Sequence, residues 1–189
     1  MNFLRDISWD DVFSGWRDRE ANNPGWIRVA TEVKGWSDWE SWRRYTAEQL
    51  NASSRAWKLY AFADPMNEVP AMLLGPYTGW QSRVENKLEA TFDQLFESET
   101  QRQEFLQNTN IQNMMDALPF ETQFIGLKLP NGKIMCVDGH HRATAITLAK
   151  KQGHVIDYTA ASITIAIAEL SEEEVKMFGE ILQKGSSKP

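Results

Sequence analysis

The sequence predicts an α+β domain in which helices cover a small mixed sheet, preceded by an N-terminal helical extension rich in tryptophan. Three observations favour this class. Two apolar segments, 124–129 and 134–137, flank Asn131-Gly132, and an Asn-Gly pair between such segments is the strongest short signal of a β-hairpin. Apolar residues recur at helical spacing in several other segments. Seven of the eight tryptophans lie in the first 60 residues.

The element boundaries follow from capping residues and from apolar spacing. Ser8 and Ser37 each precede an acidic residue by three positions, as in a capping box, and they predict helices over 8–20 and about 38–51. Further helices are predicted over 82–97, 99–107, 110–117, from the segment 138–142 to about 151, and from 171 to about 183. Strands are predicted over 57–63 and, once or twice, within 155–168.

These elements divide the chain into three predicted parts. They are a helical, tryptophan-rich extension at 1–56, a sheet-containing domain at 57–170, and a C-terminal helix with its tail at 171–189. Large aromatic side chains pack in cores more often than they bind ligands, so core packing is the favoured role of the tryptophans. The alternatives for the extension are that it covers one face of the domain, forms a homodimer or partner surface, or closes over a pocket.

Composition excludes several classes of protein. The 189 residues give room for one domain, and the net charge of −6 argues against a nucleic-acid coat, so DNA binding is not expected. The single cysteine, Cys136, excludes an internal disulfide and a multi-cysteine zinc site. The start of the chain lacks the apolar run of a signal peptide, and no apolar stretch is long enough to span a membrane. We therefore expect a cytoplasmic protein.

The segment Asp138–Arg142, Asp-Gly-His-His-Arg, predicts an anion-binding site because it lies between a predicted strand and a predicted helix. The first turn of a helix leaves backbone N–H groups without partners and carries a partial positive charge. Gly139 lets a ligand approach the backbone, and the Arg142 guanidinium can form paired hydrogen bonds to phosphate oxygens. Residues 122–160 carry five basic side chains against two acidic ones.

The other residues of this segment each have two candidate roles. Of His140 and His141, one could contact a phosphate or act as an acid or base, while the other packs or orients the loop. Asp138 could cap the helix, or it could hold Mg²⁺ beside a phosphate.

The string VDGHHR (137–142), with its alanine-rich continuation, resembles the ParB/sulfiredoxin superfamily. There, a Gly-x-x-Arg turn after a strand binds the phosphate of a nucleotide, and residues 139–142 match that turn. The resemblance covers roughly residues 57–170 and implies a ParB/sulfiredoxin-like fold with a small mixed sheet. It is closest to the free serine kinase branch. Sulfiredoxins place their catalytic cysteine where this chain has His140, and the DNA-binding helices of chromosome-partitioning ParB proteins have no room after residue 170.

This resemblance implies a phosphotransferase that uses ATP or ADP, with CTP as a further candidate, and Mg²⁺ held by Asp138. The acceptor would be a small hydroxyl compound such as serine. The serine kinases take their base from a glutamate in the loop after the first strand, and Glu68 lies in the corresponding region, with Glu85 as a second candidate.

Two other functions are compatible with the sequence. A non-catalytic module that senses nucleotides or interacts with a protein partner needs only the anion site, and it becomes the better interpretation if neither glutamate reaches that site. A ParB-like nuclease ranks third, because cleaving a phosphodiester usually calls for clustered carboxylates and a basic track for the strand.

Overall fold

The computed structural model describes residues 1–85, 87–159 and 161–189. Its centre is a five-stranded sheet with the strand order β1-β2-β5-β3-β4. Every neighbouring pair is antiparallel except β3 and β5, which run parallel. The strands are β1 (Asn2–Ile7), β2 (Trp57–Ala61), β3 (Thr122–Lys128), β4 (Ile134–Asp138) and β5 (Ile163–Glu169).

Helices and turns pack around this sheet, which confirms the α+β class. The α-helices are α1 (Trp9–Glu20), α2 (Pro24–Arg28), α3 (Trp39–Gln49), α4 (Pro65–Glu68), α5 (Thr78–Gln81), α6 (Phe92–Leu95), α7 (Glu99–Leu106), α8 (Thr109–Asp116), α9 (His140–Lys151) and α10 (Met177–Lys184). A π-helical turn (Val29–Val33) continues α2, and 3₁₀ turns cover Ala52–Ser54, Ser82–Val84 and Glu174–Lys176. None of the helices in the described ranges has both the length and the apolar character needed to cross a bilayer.

The sheet separates two apolar cores, and the alternation along β5 shows how the sequence builds both. Ile163, Ile165 and Ile167 face the core that includes α9. Ala166 and Ala168 face the other core, which contains most of the N-terminal tryptophans. Side chains on a strand alternate between the two faces, so small residues on one side leave space for indole rings. Core packing is therefore the role of Trp16, Trp39, Trp42 and Trp57, all of which are buried.

Several predicted elements are confirmed. The hairpin of β3 and β4 forms around Asn131-Gly132, and α9 follows β4 directly. Ser8 caps α1 by accepting a hydrogen bond from the Asp11 backbone. The helix predicted from residue 38 also forms, although Asp38, rather than Ser37, is its cap. The C-terminal helix starts later than predicted, because residues 174–176 form a 3₁₀ turn first.

The extension is not wholly helical, because β1 forms an edge of the sheet. This strand was not predicted from the sequence. Its residues are exposed apart from Ile7, so it lacks the buried alternation that identifies a strand in a sequence. Hydrogen bonds to β2 hold it in place.

The single helix predicted over 82–97 is wrong. The chain forms a 3₁₀ turn at Ser82–Val84, and Glu85 adopts a left-handed conformation at φ +53°. A new helix begins only at Phe92, where Thr91 and Gln94 form a complete capping box. The predicted helix also spans Asn86, which lies outside the described residues. Phe92, Leu95 and Phe96 are buried as expected, whereas Val84 and Leu88 are only partly buried. Local turn and cap signals interrupt the helix.

Candidate functional site

The predicted anion site lies at the junction of β4 and α9. Asp138 ends the strand, Gly139 occupies the cap position with φ +107°, and His140 begins the helix. A Cβ atom at Gly139 would lie 2.3 Å from the Phe124 ring, so both the backbone angle and the packing require glycine here. The first turn of the twelve-residue helix α9 therefore starts directly at the site.

A cavity of about 660 Å³ opens at this junction. This volume is within the range of small-molecule sites. The N-terminal extension forms much of its wall, so the extension does contribute to closing a pocket. The lining includes five basic side chains, which are Arg19, Lys34, Arg43, Arg83 and Arg142, and three acidic ones, which are Glu20, Glu121 and Asp138. The cavity wall thus carries a basic excess in an acidic chain.

The predicted phosphate ligand Arg142 is largely engaged within the protein. Its Nη2 donates to Asp138 Oδ2 at 2.6 Å, and its Nη1 donates to the Thr122 hydroxyl and to the carbonyl of Gln123. The guanidinium also lies over the Phe124 ring, 5.4 Å from its centroid. Arg142 thereby ties α9 to the ends of β3 and β4, and its bonds to protein reduce what it can offer a ligand.

Asp138 is 4% exposed and lies among three arginines. Besides the bond from Arg142, Arg19 Nη2 lies 3.9 Å from its Oδ2 atom. Burial opposes ionisation of Asp138, but the charges of Arg142, Arg43 and Arg19 outweigh it and hold the pKa of this carboxyl below its ordinary value. Asp138 does not cap α9. Gly139 holds the cap position, and no side-chain capping hydrogen bond forms at this helix start in the described structure.

Glu20, at the end of α1, is the principal residue of the site that the sequence analysis did not identify. Its Oε2 atom accepts hydrogen bonds from Arg43 Nη2 at 2.8 Å and Trp39 Nε1 at 3.1 Å. Burial and the nearby charge of Asp138 raise the pKa of Glu20 to about 7. Glu20 therefore keeps its proton over a wider pH range than an exposed glutamate and is partly protonated at neutral pH.

The sequence does contain a signal for Glu20. Trp9, Phe13, Trp16 and Glu20 follow one another at spacings of four, three and four, so the glutamate lies on the apolar stripe of α1. A charged side chain on an apolar helix face is buried with the rest of that face, and a buried charge needs a partner of opposite charge. Arg43, its partner, lies four residues after Trp39 on α3 and is likewise surrounded by indole rings, the nearest being Trp42 at 3.8 Å.

Arg19 and Tyr77 bring hydrogen-bonding groups to the cavity wall that the protein leaves unused. Arg19 Nε and Nη2, and the Tyr77 hydroxyl, are buried and have no hydrogen-bond partner in the described part of the chain. Burial lowers the pKa of the Arg19 guanidinium. Buried polar groups are almost always hydrogen-bonded in folded proteins, so these atoms call for acceptors from outside the chain.

The two histidines differ in their surroundings. His140 Nε2 lies 2.7 Å from the Leu74 carbonyl, which can only accept, so Nε2 carries the proton. The ring stacks on Trp80 at 5.1 Å, and burial lowers the pKa of His140 to about 4. A neutral, fully packed imidazole of this kind positions the loop. His141 faces the cavity between Trp26 and Trp80, and burial, followed by the charge of Arg142, lowers its pKa.

The two glutamates predicted as bases lie outside the cavity lining. Glu68 Oε2 accepts hydrogen bonds from the backbone of Ala63 and Asp64 at 2.7 and 2.8 Å, so it closes the loop after β2. Glu85 is exposed and lies 3.3 Å from Lys87. The structure therefore brings together Asp138, Gly139, His140, His141 and Arg142, but neither predicted base joins them.

The residues at Asp138 do not fit the predicted magnesium ion. Mg²⁺ needs oxygen ligands at close range, but the Asp138 carboxyl already accepts a hydrogen bond from Arg142 at 2.6 Å and lies near Arg19. Among the described residues, no group of three or more histidine, cysteine or acidic side chains could hold a metal ion. Cys136 is a buried core residue, and burial raises the pKa of its thiol.

Comparison with known proteins identifies no relative. No family model matches the chain, and neither the curated proteins nor the solved structures contain a match. The resemblance of residues 137–142 to the ParB/sulfiredoxin superfamily therefore stays a prediction, and the geometry of the site carries the functional argument.

The raised pKa of Glu20 predicts a specific pH dependence of stability. The folded state keeps this proton up to about pH 7, whereas an unfolded chain loses it near the ordinary value of 4.5. The contribution of Glu20 to folding is thus complete below pH 4.5 and is lost as the pH rises to about 7. His140, with its pKa lowered to about 4, acts in the opposite direction as the pH rises from 4 to 6.5.

The variant Glu20→Gln separates these two contributions. Relative to the native protein, its free energy of unfolding should increase with pH between 4.5 and 7, by on the order of 2–3 kcal/mol. Urea titrations of both proteins at a series of pH values measure this difference. Two stability curves that run parallel across this range would show that Glu20 does not hold a proton in the folded state.

Proposed function

We propose that the cavity at the β4–α9 junction binds a nucleoside phosphate, such as ADP or ATP, without transferring its phosphoryl group. The observation that carries this proposal is the set of unpartnered buried donors of Arg19 and Tyr77 in the wall of a cavity that the α9 N-terminus also faces. Phosphate oxygens supply several acceptors and negative charge in a small volume, which is what these groups lack.

The remaining lining supports a nucleotide over a simple anion. A volume of about 660 Å³ greatly exceeds that of inorganic phosphate. Trp26, Trp80 and His141 contribute aromatic surface to the same cavity. Aromatic rings and arginine side chains together suit a ligand with a planar base at one end and phosphates at the other.

Binding without transfer is the better interpretation because neither glutamate predicted as the base lines the cavity. The two buried carboxyl groups of the lining are each paired with an arginine, Glu20 with Arg43 and Asp138 with Arg142. The resemblance to the ParB/sulfiredoxin superfamily also supports nucleotide binding, through the match of residues 139–142 to its phosphate-binding turn. A nuclease finds less support, since it needs carboxylates that are free to hold metal ions.

Calorimetric titration of ATP, ADP and CTP into the native protein and into Arg19→Gln tests the proposal. Losing a charged hydrogen-bonding group should weaken binding by about 1.5–3 kcal/mol, which is roughly tenfold or more. Arg17→Gln is the matched control, because Arg17 lies on the same helix but outside the cavity lining. We expect it to bind like the native protein.

Two outcomes would overturn this assignment. If none of the three nucleotides binds the native protein, the cavity is not a nucleotide site. If Arg19→Gln and Arg17→Gln bind equally well, the nucleotide lies elsewhere. Formation of phosphoserine from serine and ATP or ADP, followed by chromatography, would instead establish the phosphotransferase that the resemblance implies.

A further inference from the structure

The charged groups around Asp138 are arranged for an anion and against a divalent cation. Arg142 Nη2 lies 2.6 Å from Asp138 Oδ2, and Arg19 Nη2 lies 3.9 Å from the same atom. Arg43 Nη2 lies 2.8 Å from Glu20 Oε2. A metal ion that bound Asp138 would have to displace Arg142 and would remain next to positive charges.

The rest of the lining does not supply the missing ligands. Glu121 is the only other acidic residue that lines the described cavity. Magnesium sites in nucleotide-binding proteins usually contribute one or two carboxylates that are free to take the ion or its water ligands. Here both buried carboxyl groups already accept hydrogen bonds from the protein, Glu20 from Arg43 and Trp39, and Asp138 from Arg142.

The arginine cluster can perform the neutralisation that the metal would otherwise provide. Arg19, Arg43 and Arg142 all line the cavity, and each of the two buried carboxyl groups is paired with at least one of them. A nucleotide that carries Mg²⁺ has lost two of its negative charges, whereas the free nucleotide presents them all. Guanidinium groups in a partly buried site therefore favour the free form.

On these grounds, and resting on the proposed function, we infer that the cavity binds its nucleotide free of magnesium, with arginine side chains in place of the metal ion. The ligand class is thus the free nucleoside polyphosphate anion. This differs from the sequence-based expectation that Asp138 would hold Mg²⁺.

Calorimetric titration of ADP into the native protein, once in excess EDTA and once in excess MgCl₂, tests this inference. We expect ADP to bind on the order of tenfold more tightly in EDTA than in MgCl₂, because free ADP carries two more negative charges than its magnesium complex. Binding that occurs only with MgCl₂ would overturn the inference while leaving the proposed function intact. Absence of binding under both conditions would overturn the proposed function, and this inference with it.

Titration of Mn²⁺ alone, followed by electron paramagnetic resonance, gives a second readout that needs no nucleotide. The native protein should show no saturable Mn²⁺ site at the carboxyl pair. A site that is present in the native protein and is lost in Glu20→Gln would overturn the inference. Glu20→Gln keeps the size of the side chain, and a thermal melt checks that this variant is folded.

Discussion

Replacing Gly139 with alanine should lower the free energy of unfolding by about 3–5 kcal/mol. Gly139 has φ +107°, a backbone angle that side chains with a Cβ rarely adopt. The added Cβ would also lie 2.3 Å from the Phe124 ring, which is fully buried in β3. Relief would require moving either the ring or the start of α9, and both belong to the same core.

Gly132→Ala separates the two causes of this loss. Gly132 also has a left-handed backbone, at φ +83°, but its added Cβ would meet nothing within 4 Å. Its cost should be only the backbone term, about 1 kcal/mol. Urea denaturation of both variants gives the comparison. Equal losses of stability at the two positions would show that the Phe124 ring moves aside for the added methyl group at little cost in free energy.

The junction that carries the candidate site could be predicted because its signals are local. Asn131-Gly132 specifies the hairpin turn, Gly139 permits the change from strand to helix, and the alanine-rich segment continues as α9. Each of these signals acts within a few residues, so a single sequence contains them. The same reasoning correctly placed α1, whose Ser8 cap acts over three residues.

The part of the site that the N-terminal extension builds could not be predicted, because the residues that meet there are far apart in the sequence. Glu20 and Asp138 are 118 positions apart and meet only because the extension packs against one face of the sheet, close to the end of β4. The local sequence pattern indicates that Glu20 lies on the apolar face of α1, but it does not indicate which residue pairs with Glu20. Glu68, which was predicted as a base, lies outside the cavity lining because its carboxylate accepts hydrogen bonds from the backbone of its own loop.

The second large expected effect concerns Arg142, which the structure makes a scaffold residue as well as a member of the cavity wall. Arg142→Ala should lower the free energy of unfolding by about 3–5 kcal/mol, because the buried carboxylate of Asp138 loses its closest counter-charge and keeps only more distant arginines. Asp138 is 5% exposed at its side chain and receives its shortest charged contact from Arg142. The same change also removes the donors to Thr122 and Gln123.

Arg44→Ala is the matched control for this prediction. Arg44 also pairs with a carboxylate four positions away, Glu40, but on the exposed surface of α3. Surface pairs of this kind contribute about 0.3–0.5 kcal/mol, so the control should be nearly as stable as the native protein. The double variant with Asp138→Asn completes the comparison, since removing both charges should recover part of the loss.

The stability of Arg142→Ala also decides how a binding experiment at this position is interpreted. If the variant loses stability as expected, weaker nucleotide binding by it reports a distorted cavity, and Arg19 is the position that tests ligand contact directly. If urea denaturation instead shows a loss below about 1 kcal/mol, the guanidinium is not needed by Asp138. Arg142 would then be free to bind phosphate, as the Gly-x-x-Arg turn of residues 139–142 first suggested.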